Sequence, residues 1–340
     1  MTRPIFAVAA LSACCTIGPA PASGDDLFAR GINLASAALH DEHSPGVYGQ
    51  DYIYPSAKHL DYYANKGFAV VRLPYRWERL QRSLFGDLDR LELQRIRDFV
   101  AAARVRGMRV ILSPHNFGRY RLHGVETLIG TAAVPIAAFA DFSHKVAAAF
   151  RGDEAVYALS LMNEPHDSQG LWKRTAQAAL DAVRAADRDR LVLAPGDQWS
   201  EAFRWQRYNA DFLLNDPSAR LVYEAHQYFD ADHTGSYKTS YRLSGASPNR
   251  GIDWIKPFVE WLRRHHQKGL ITEFGVPNND KQWLDLLERL LAFLAAEKIS
   301  WTYWAGGPWW GNYRLSTEPA NGVDQPVMSV LTKDYGLLPR

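Results

Sequence analysis

Two kinds of segment alternate along this chain: short runs of apolar or β-branched residues, and longer stretches in which apolar residues recur every three or four positions. The short runs predict strands at residues 31–35, 69–74, 109–113, 157–162, 190–194, 221–226, 269–273 and 300–304. The longer stretches predict helices, most clearly at residues 89–106, 134–150, 171–186, 254–266 and 281–297. This alternation is typical of strand–helix units built around a parallel sheet.

The number of these units predicts the fold class. Eight strands, each followed by a crossover, favour an α/β protein whose strands close into a (β/α)8 barrel, the TIM barrel. An open dinucleotide-binding sheet is disfavoured, because no Gly-x-Gly-x-x-Gly turn follows the first strand. No Pro/Gly/Ser-rich linker or low-complexity segment divides the chain, so we expect a single catalytic barrel domain over residues 23–340.

Residues 1–22 have the features of an export signal. A mostly apolar run covers residues 5–17, and Ala20-Pro21-Ala22 resembles a small-x-small cleavage site. The sequence therefore predicts a protein that is secreted or periplasmic, and cleavage would remove both cysteines, Cys14 and Cys15. A lipoprotein anchored at Cys14 is the alternative, because residues 11–14 resemble a bacterial lipobox.

The charge balance narrows the classes of partner. A formal net charge of +2 with no basic stripe argues against nucleic acid. No stretch after the N-terminal segment approaches the roughly 20 apolar residues of a membrane-spanning helix, so we expect no integral membrane segment. A metal hydrolase is disfavoured, because the chain has neither a His-Glu-x-x-His motif nor a cysteine cluster.

Candidate chemistry lies at the ends of the predicted strands, since the active site of such a barrel is built where strands end and the following loops begin. The polar and aromatic residues at these positions include Arg72, His115, Asn116, Asn163, Glu164, His226, Tyr228, Glu273 and Trp304. Their shared position predicts that they converge at one end of the barrel.

Two of these residues, Glu164 and Glu273, have the chemistry of glycosidic bond hydrolysis. One carboxylic acid must protonate the leaving oxygen, while a second, ionised carboxylate attacks the anomeric carbon. Either glutamate alone could be an ordinary surface residue, but both follow apolar strands. We predict Glu164 as acid/base and Glu273 as nucleophile, with the carboxyl groups about 5 to 5.5 Å apart. We also expect the charge of Glu273 to raise the pKa of Glu164.

The neighbouring candidates have supporting roles to fill. Arg72 is expected to hold the pKa of Glu273 low through charge-assisted hydrogen bonds, and Tyr228 to donate to the same carboxylate. Asn163 is placed to bond the 2-hydroxyl of the sugar. We further expect His226 to adjust the acid/base, His115 to contact sugar hydroxyls, and Trp304 to form a platform beneath the sugar.

These residues resemble the signature of glycoside hydrolase family 5, in the branch that holds many endo-β-1,4-glucanases. That family's active-site positions appear here in order as Arg72, His115, Asn163, Glu164, His226, Tyr228, Glu273 and Trp304. The surrounding segments 31–34, 71–80, 115–120, 162–167, 226–235 and 304–311 are similar to the same branch. The resemblance implies retention of anomeric configuration without a metal or organic cofactor. It also implies that Trp199, Trp309 and residues 230–233 line the cleft.

The leading hypothesis is therefore a monomeric, exported, retaining endo-β-1,4-glucanase (a cellulase) that acts on a β-glucan polysaccharide or oligosaccharide. The first alternative is another β-1,4-glycanase: a mannanase, a xyloglucanase or a glucanase that trims an exopolysaccharide. The second alternative is a carbohydrate-binding barrel without catalysis. That alternative is disfavoured because both carboxylates are present.

Overall fold

A computed structural model describes residues 30–336, and a parallel β-barrel organises this part of the chain. The barrel strands are β1 (Gly31–Leu34), β2 (Val70–Tyr75), β3 (Arg109–Pro114), β6 (Val156–Ser160), β7 (Leu191–Pro195), β8 (Leu221–His226), β9 (Gly269–Glu273) and β10 (Thr302–Gly306). A separate antiparallel hairpin outside the barrel consists of β4 (Arg119–Leu122) and β5 (Val125–Leu128). The barrel order is β10-β1-β2-β3-β6-β7-β8-β9, with neighbouring strands parallel. The sheet closes between its two ends through a parallel bridge from Ile271 to Trp301. The (β/α)8 barrel prediction is confirmed.

Helices pack around the outside of this barrel. They are α1 (Ala57–Asn65), α2 (Trp77–Leu80), α3 (Arg90–Arg104), α4 (Ile136–Ala149), α5 (Trp172–Ala186), α6 (Trp205–Tyr208), α7 (Arg250–Arg264), α8 (Lys281–Ala296) and α9 (Val327–Leu331), with short 3-10 turns at Ser36–Ala38 and Asp41–His43. All five predicted helices are present. The fourth begins at Arg250, four residues earlier than predicted.

Local sequence explains where two of the long helices begin. Asp89 accepts hydrogen bonds from the backbone N–H groups of Leu91 and Glu92, which caps α3. Asp280 caps α8 in the same way through the N–H groups of Gln282 and Trp283. The buried face of α8 is then formed by Leu286, Leu287, Leu290, Leu291 and Leu294.

The barrel interior changes from apolar to polar along the strands. Side chains two positions apart on a strand point to the same side, so each interior row can be followed towards the carboxyl end. The lower, apolar row includes Val70, Ile111, Ala158, Val222 and Leu270. Two positions further along the same strands lies a buried polar row of Arg72, Ser113, Ser160, Glu224 and Thr272. This polar row underlies the end of the barrel where the predicted site residues lie.

Within residues 30–336, no helix is both long and apolar enough to cross a membrane. The predicted export signal, with Cys14 and Cys15, lies outside the described residues.

Candidate active site

The carboxyl groups of Glu164 and Glu273 meet at the carboxyl end of the barrel. Glu273 ends β9, and Glu164 lies four residues after β6. One oxygen from each carboxylate and a ring nitrogen of His226 all lie within 4.8 Å of one another. Glu164 has a left-handed backbone conformation, with φ of 45°, directly before Pro165. Such a conformation is uncommon for glutamate and is typical of residues held in place at functional sites.

Glu273 receives hydrogen bonds at both carboxylate oxygens. Arg72 Nη1 donates to Oε2 at 3.1 Å, and the Tyr228 hydroxyl donates to Oε1 at 2.8 Å. Arg72 also donates to Asn33 Oδ1 at 2.9 Å and to Asn163 Oδ1 at 2.6 Å. The guanidinium is completely buried, so its charge acts on Glu273 with little screening. Asn33 was not among the predicted site residues, although it is a polar residue in an otherwise apolar first strand.

Glu164 has a different environment, with an imidazole against one carboxylate oxygen. His226 Nδ1 lies 2.9 Å from Glu164 Oε1, and the other ring nitrogen lies 3.0 Å from Thr272 Oγ1. Burial raises the pKa of Glu164 to about 8, with the charge of Arg72 opposing and that of Glu201 adding to the effect. The prediction that the charge of Glu273 raises this pKa was wrong, because loss of solvation is the main cause and the carboxylate that adds to it is Glu201.

The pKa of Glu273 is also raised, by burial and then by the charge of Glu164, while His226, Arg72 and Tyr228 lower it. The expectation that Arg72 holds this pKa below its usual range was therefore wrong in its net direction, because the carboxyl is deeply buried beside a second one. Within the pair, the guanidinium and the phenol both donate to Glu273. A single negative charge is accordingly better stabilised there, which leaves the shared proton on Glu164.

Both histidines beside the carboxyl pair are neutral near neutral pH. Burial lowers the pKa of His226 to about 4, and burial followed by the charge of Arg72 lowers the pKa of His115 well below its usual value. His115 Nε2 lies 3.3 Å from the amide nitrogen of Asn163, which places the ring beside the carboxyl pair. The histidines therefore act as neutral hydrogen-bonding groups and not as fixed cations.

Aromatic rings continue from the carboxyl pair across the same end of the barrel. Trp304 stacks on His115 with ring centroids 5.7 Å apart, His115 contacts Phe117 at 5.1 Å, and Phe117 contacts Trp199 at 6.1 Å. Trp199 is 44% exposed and lies flat on His166, with centroids 3.7 Å apart. We call Trp304, His115, Phe117 and Trp199 the aromatic row. Flat, partly exposed rings of this kind suit the apolar faces of sugar rings.

Two predicted site residues lie apart from this arrangement. The buried amide of Asn116 donates to both oxygens of Glu78 at 2.8 Å, and its oxygen accepts from the backbone N–H of Trp77. Asn116 thus anchors the loop after β3 and does not join the carboxyl pair. Trp309 is 45% exposed on the segment after β10, and its neighbour Trp310 is the residue that contacts Trp304.

A third carboxylate, Glu201, was missed, because Trp199 was the only residue after the fifth barrel strand that the sequence analysis placed at the site. Glu201 follows β7 in the chain and pairs with His233 Nδ1 and with Arg204 Nε, the latter at 3.3 Å. Its charge reaches Glu164, since it contributes to the raised pKa of that carboxyl group. Residues 230–233, which the resemblance placed at the cleft, meet the site through this His233 contact.

The cluster of Glu164, His226 and Glu273 has ligand-type atoms close enough for a cation. However, a buried Arg72 guanidinium lies 3.1 Å from Glu273 and already supplies positive charge there. This charge favours hydrogen bonding between the carboxyl groups and the imidazole over binding of a metal ion.

Comparisons with known proteins agree with this geometry. The family model described as Cellulase (glycosyl hydrolase family 5) matches residues 24–309. Endoglucanase 3 of Humicola insolens is 33% identical over 313 residues, covering 90% of this chain and 76% of that protein. Probable endo-beta-1,4-glucanase B of Aspergillus oryzae is 32% identical over 300 residues, covering 86% of each protein.

Solved structures are similar over nearly the whole described chain. The endoglucanase Cel5A of Pseudomonas stutzeri in complex with cellobiose is 41% identical, with a TM-score of 0.87 and coverage of 91% of this chain and 92% of that one. An endo-beta-1,4-glucanase from Xanthomonas axonopodis pv. citri is 37% identical, with a TM-score of 0.83 and coverage of 90% and 98%. The chain therefore belongs to glycosyl hydrolase family 5 and is a glycoside hydrolase.

Proposed function

We propose that this protein is a retaining endo-β-1,4-glucanase with Glu164 as acid/base and Glu273 as nucleophile. The observation that carries the proposal is the approach of the two carboxyl groups, since one oxygen of Glu164 lies within 4.8 Å of one oxygen of Glu273. Retaining enzymes hold their two carboxyl groups about 5 to 5.5 Å apart, whereas inverting enzymes leave about 6.5 to 9.5 Å for a water molecule.

The surroundings of each carboxyl group support its assigned step. Glu164 gives its proton to the glycosidic oxygen as the bond from that oxygen to the anomeric carbon breaks and a Glu273 oxygen bonds to the same carbon. In the second step Glu164, now ionised, takes a proton from water while the water oxygen displaces Glu273. Arg72 donates to the side-chain oxygen of Asn163. In the proposed mechanism Asn163 bonds the 2-hydroxyl of the sugar.

The substrate assignment is supported by the relatives, whose names are those of endo-β-1,4-glucanases, and by the aromatic row along the cleft. Other β-1,4-linked polymers present similar ring faces and differ in their hydroxyl groups. Release of reducing sugar from carboxymethylcellulose, mannan, xyloglucan and lichenan should be measured in parallel. We expect the highest rate on a β-1,4-glucan. A protein that is fast on mannan or xyloglucan and slow on carboxymethylcellulose would refute the glucanase assignment.

The catalytic assignment is tested by two measurements on one pair of proteins. Proton NMR during hydrolysis of cellopentaose by the wild type should show the β-anomer first, and an initial α-anomer would mean inversion. Glu164→Ala should lower kcat/KM on cellopentaose about 10²- to 10⁴-fold. It should affect glycosylation by a dinitrophenyl cellobioside far less, because that leaving group needs no proton. Equal losses on both substrates would remove Glu164 from the acid role.

The second candidate function is a carbohydrate-binding barrel without catalysis, and the variant Glu273→Ala distinguishes it from an enzyme. If the barrel only binds glucan, Glu273→Ala leaves all measurable behaviour unchanged. We expect this variant instead to abolish turnover and to retain binding of cellopentaose.

We also propose that the protein is exported with loss of residues 1–22 and acts as a monomer. Intact mass of the exported protein should give a first residue at position 23. A lipid-modified N-terminus at Cys14 would favour the lipoprotein alternative. Light scattering coupled to gel filtration should give a mass near that of one chain, and a dimer mass would contradict the monomer.

A further inference from the structure

A chain of buried polar side chains leads from the acid/base into the barrel interior. Glu164 Oε1 lies 2.9 Å from His226 Nδ1, and His226 Nε2 lies 3.0 Å from Thr272 Oγ1. The Thr272 hydroxyl donates to Glu224 Oε2 at 2.7 Å, and the Ser160 hydroxyl donates to the other oxygen of Glu224. Glu224 and Thr272 are completely buried. The proposed catalytic steps make no use of Glu224.

The direction of these hydrogen bonds can be worked out from the number of protons. The hydroxyls of Thr272 and Ser160 both donate to Glu224, so the single hydroxyl proton of Thr272 is directed at that carboxylate. Thr272 Oγ1 is then left as an acceptor towards His226, and the imidazole must present Nε2–H to it. A neutral imidazole carries one N–H, so Nδ1 is a bare acceptor towards Glu164. A hydrogen bond at that contact therefore requires a proton on Glu164.

We propose that Glu224 is a positioning residue that, through Thr272 and His226, fixes the Nε2–H tautomer of His226 and so holds the transferable proton on Glu164. The inference rests on the proposed role of Glu164 as acid/base. Glu224 does not touch the substrate or the carboxyl pair. It acts from beneath the site, in the buried polar row of the barrel.

The same chain serves both halves of the proposed reaction. After Glu164 has protonated the leaving oxygen, its carboxylate faces the lone pair of Nδ1, which is an unfavourable contact. Ionised Glu164 is therefore a stronger base towards the incoming water, and protonation restores the hydrogen bond to His226. If every hydrogen bond in this series ran in the opposite direction, Glu224 would carry a proton and His226 would carry Nδ1–H. The two arrangements thus differ in the position of one proton between Glu164 and Glu224.

Other groups contribute to the titration of Glu164 and His226, and the test must leave them in place. The charged or titratable side chains that face this pair are Arg72, His115, Glu201, Glu224, Tyr228 and Glu273. Burial lowers the pKa of His226 to about 4, which agrees with the neutral ring that the argument requires. Variants of Thr272 interrupt the chain and leave every one of these side chains unchanged.

The tautomer of His226 can be measured directly in the unaltered protein. In the wild type with ¹⁵N-labelled histidine, nitrogen chemical shifts separate Nδ1–H from Nε2–H rings, and His226→Asn identifies the resonances. We expect a protonated Nε2 and an unprotonated Nδ1 at neutral pH. A ring protonated at Nδ1, or at both nitrogens, would overturn the proposal. This result needs no activity, so it stands whether or not Glu164 proves to be the acid.

Interrupting the chain should also move the pH profile. In Thr272→Val the imidazole is free to carry Nδ1–H and to donate to ionised Glu164. The alkaline limb of kcat/KM on cellopentaose should therefore shift to lower pH by about one unit. Thr272→Ser keeps the hydroxyl and should restore the wild-type limb. A limb that stays in place in folded Thr272→Val would refute the role of Glu224.

Thr302→Val is the matched control. Its hydroxyl is equally buried and donates to the backbone oxygen of Thr272, but it is not part of the chain. Loss of this hydroxyl should lower stability and leave the alkaline limb in place. If both valine variants shift the limb equally, the effect is one of general packing and the proposal fails. If Glu164→Ala loses activity equally on cellopentaose and the aryl glycoside, the acid role of Glu164 fails. The tautomer measurement would still decide whether the hydrogen-bond chain fixes the Nε2–H form of His226.

Discussion

At the scale of single residues, the two glutamates are told apart by what surrounds them. Glu273 accepts from a buried guanidinium and a phenol, which stabilise negative charge. Glu164 meets a neutral imidazole instead, and its burial raises its pKa to about 8. This difference in environment supports the proposed division of roles, with Glu273 as nucleophile and Glu164 as acid.

The raised pKa of Glu164 predicts a stability effect that depends on pH. The pKa in the folded state, about 8, lies above the value of 4.5 for an unperturbed glutamate. Below pH 4.5, Glu164 is protonated in both states and does not lower the free energy of unfolding. As the pH rises from 4.5 to about 8, the unfolded state ionises more readily, and the free energy of unfolding falls. Glu164→Gln, which cannot ionise, should match the wild type in free energy of unfolding at pH 4.5. At pH 8 it should exceed the wild type by about 4 kcal/mol, because burial opposes ionisation of Glu164 over the whole interval between the two pKa values.

Urea unfolding at the two pH values measures this difference, and each protein serves as its own reference. If Glu164→Gln is more stable than the wild type by the same amount at both pH values, the glutamine stabilises the fold for a reason other than ionisation. If the difference in free energy of unfolding is larger at pH 4.5, the pKa of Glu164 is not raised on folding.

At the scale of elements, the loop after β7 carries a platform on an unusual backbone. Gln198, Trp199 and Ser200 have consecutive positive φ angles of 54°, 64° and 53°. The Ser200 hydroxyl donates to the backbone oxygen of Glu224 at 2.6 Å and accepts from Gly196 N–H at 2.9 Å. The Trp199 N–H donates to the oxygen of Pro165, directly after the acid/base. These bonds hold a conformation that is costly for residues with side chains, and so fix Trp199 beside Pro165 and Glu164. If Glu164 is the group that protonates the leaving oxygen, we expect the Trp199 ring to contact the sugar on the leaving-group side.

Removing that platform should weaken binding more than chemistry. Trp199→Ala should raise KM for cellopentaose about threefold to tenfold, since an aromatic contact contributes about 0.5 to 1.5 kcal/mol. Its effect on kcat for a dinitrophenyl cellobioside should be small, because that substrate has no sugar on the leaving-group side. Steady-state kinetics on both substrates test this. Tyr208→Ala, a similarly exposed ring outside the aromatic row, should leave both unchanged. A fall in kcat on the aryl glycoside would give Trp199 a role in chemistry.

Sequence patterns predicted the elements that have a buried face and missed those that do not. All eight barrel strands were predicted to within two residues at each end, because their cores are apolar. The β4–β5 hairpin has mostly half-buried or exposed residues, so no apolar run marks it. Helix α1 was missed because only Leu60 and Tyr63 of its nine residues are buried.

Side-chain direction explains the remaining differences at the site. Position at a strand end predicted the carboxyl pair, but Asn116 follows His115 and points to Glu78 instead. Glu224 and Thr272 lie within apolar strands, so their connection to the site depends on which side of the barrel wall they face. Period-two alternation gives that side only once the strands are closed into a barrel.

At the scale of the whole molecule, Arg72 ties the site to the barrel. Its guanidinium, on β2, bonds Asn33 on β1, Asn163 after β6 and Glu273 on β9, and so links residues from four of the eight barrel strands. The ion pair with Glu273 is buried, so its desolvation is offset only while both partners are present. The same contact that holds the proposed nucleophile therefore also stabilises the fold.

This coupling predicts a large and non-additive effect on stability. Arg72→Met leaves Glu273 as an uncompensated buried carboxylate, and should lower the free energy of unfolding at neutral pH by about 3 to 5 kcal/mol. Adding Glu273→Gln should restore part of that loss, because no buried charge then remains. Urea unfolding of the two single variants and the double variant closes the cycle. Arg106→Met, which breaks an exposed two-bond contact with Asp61, should change little and controls for loss of an arginine. Additive losses in the double variant would mean that Arg72 stabilises the barrel through its amide contacts, independently of the nucleophile.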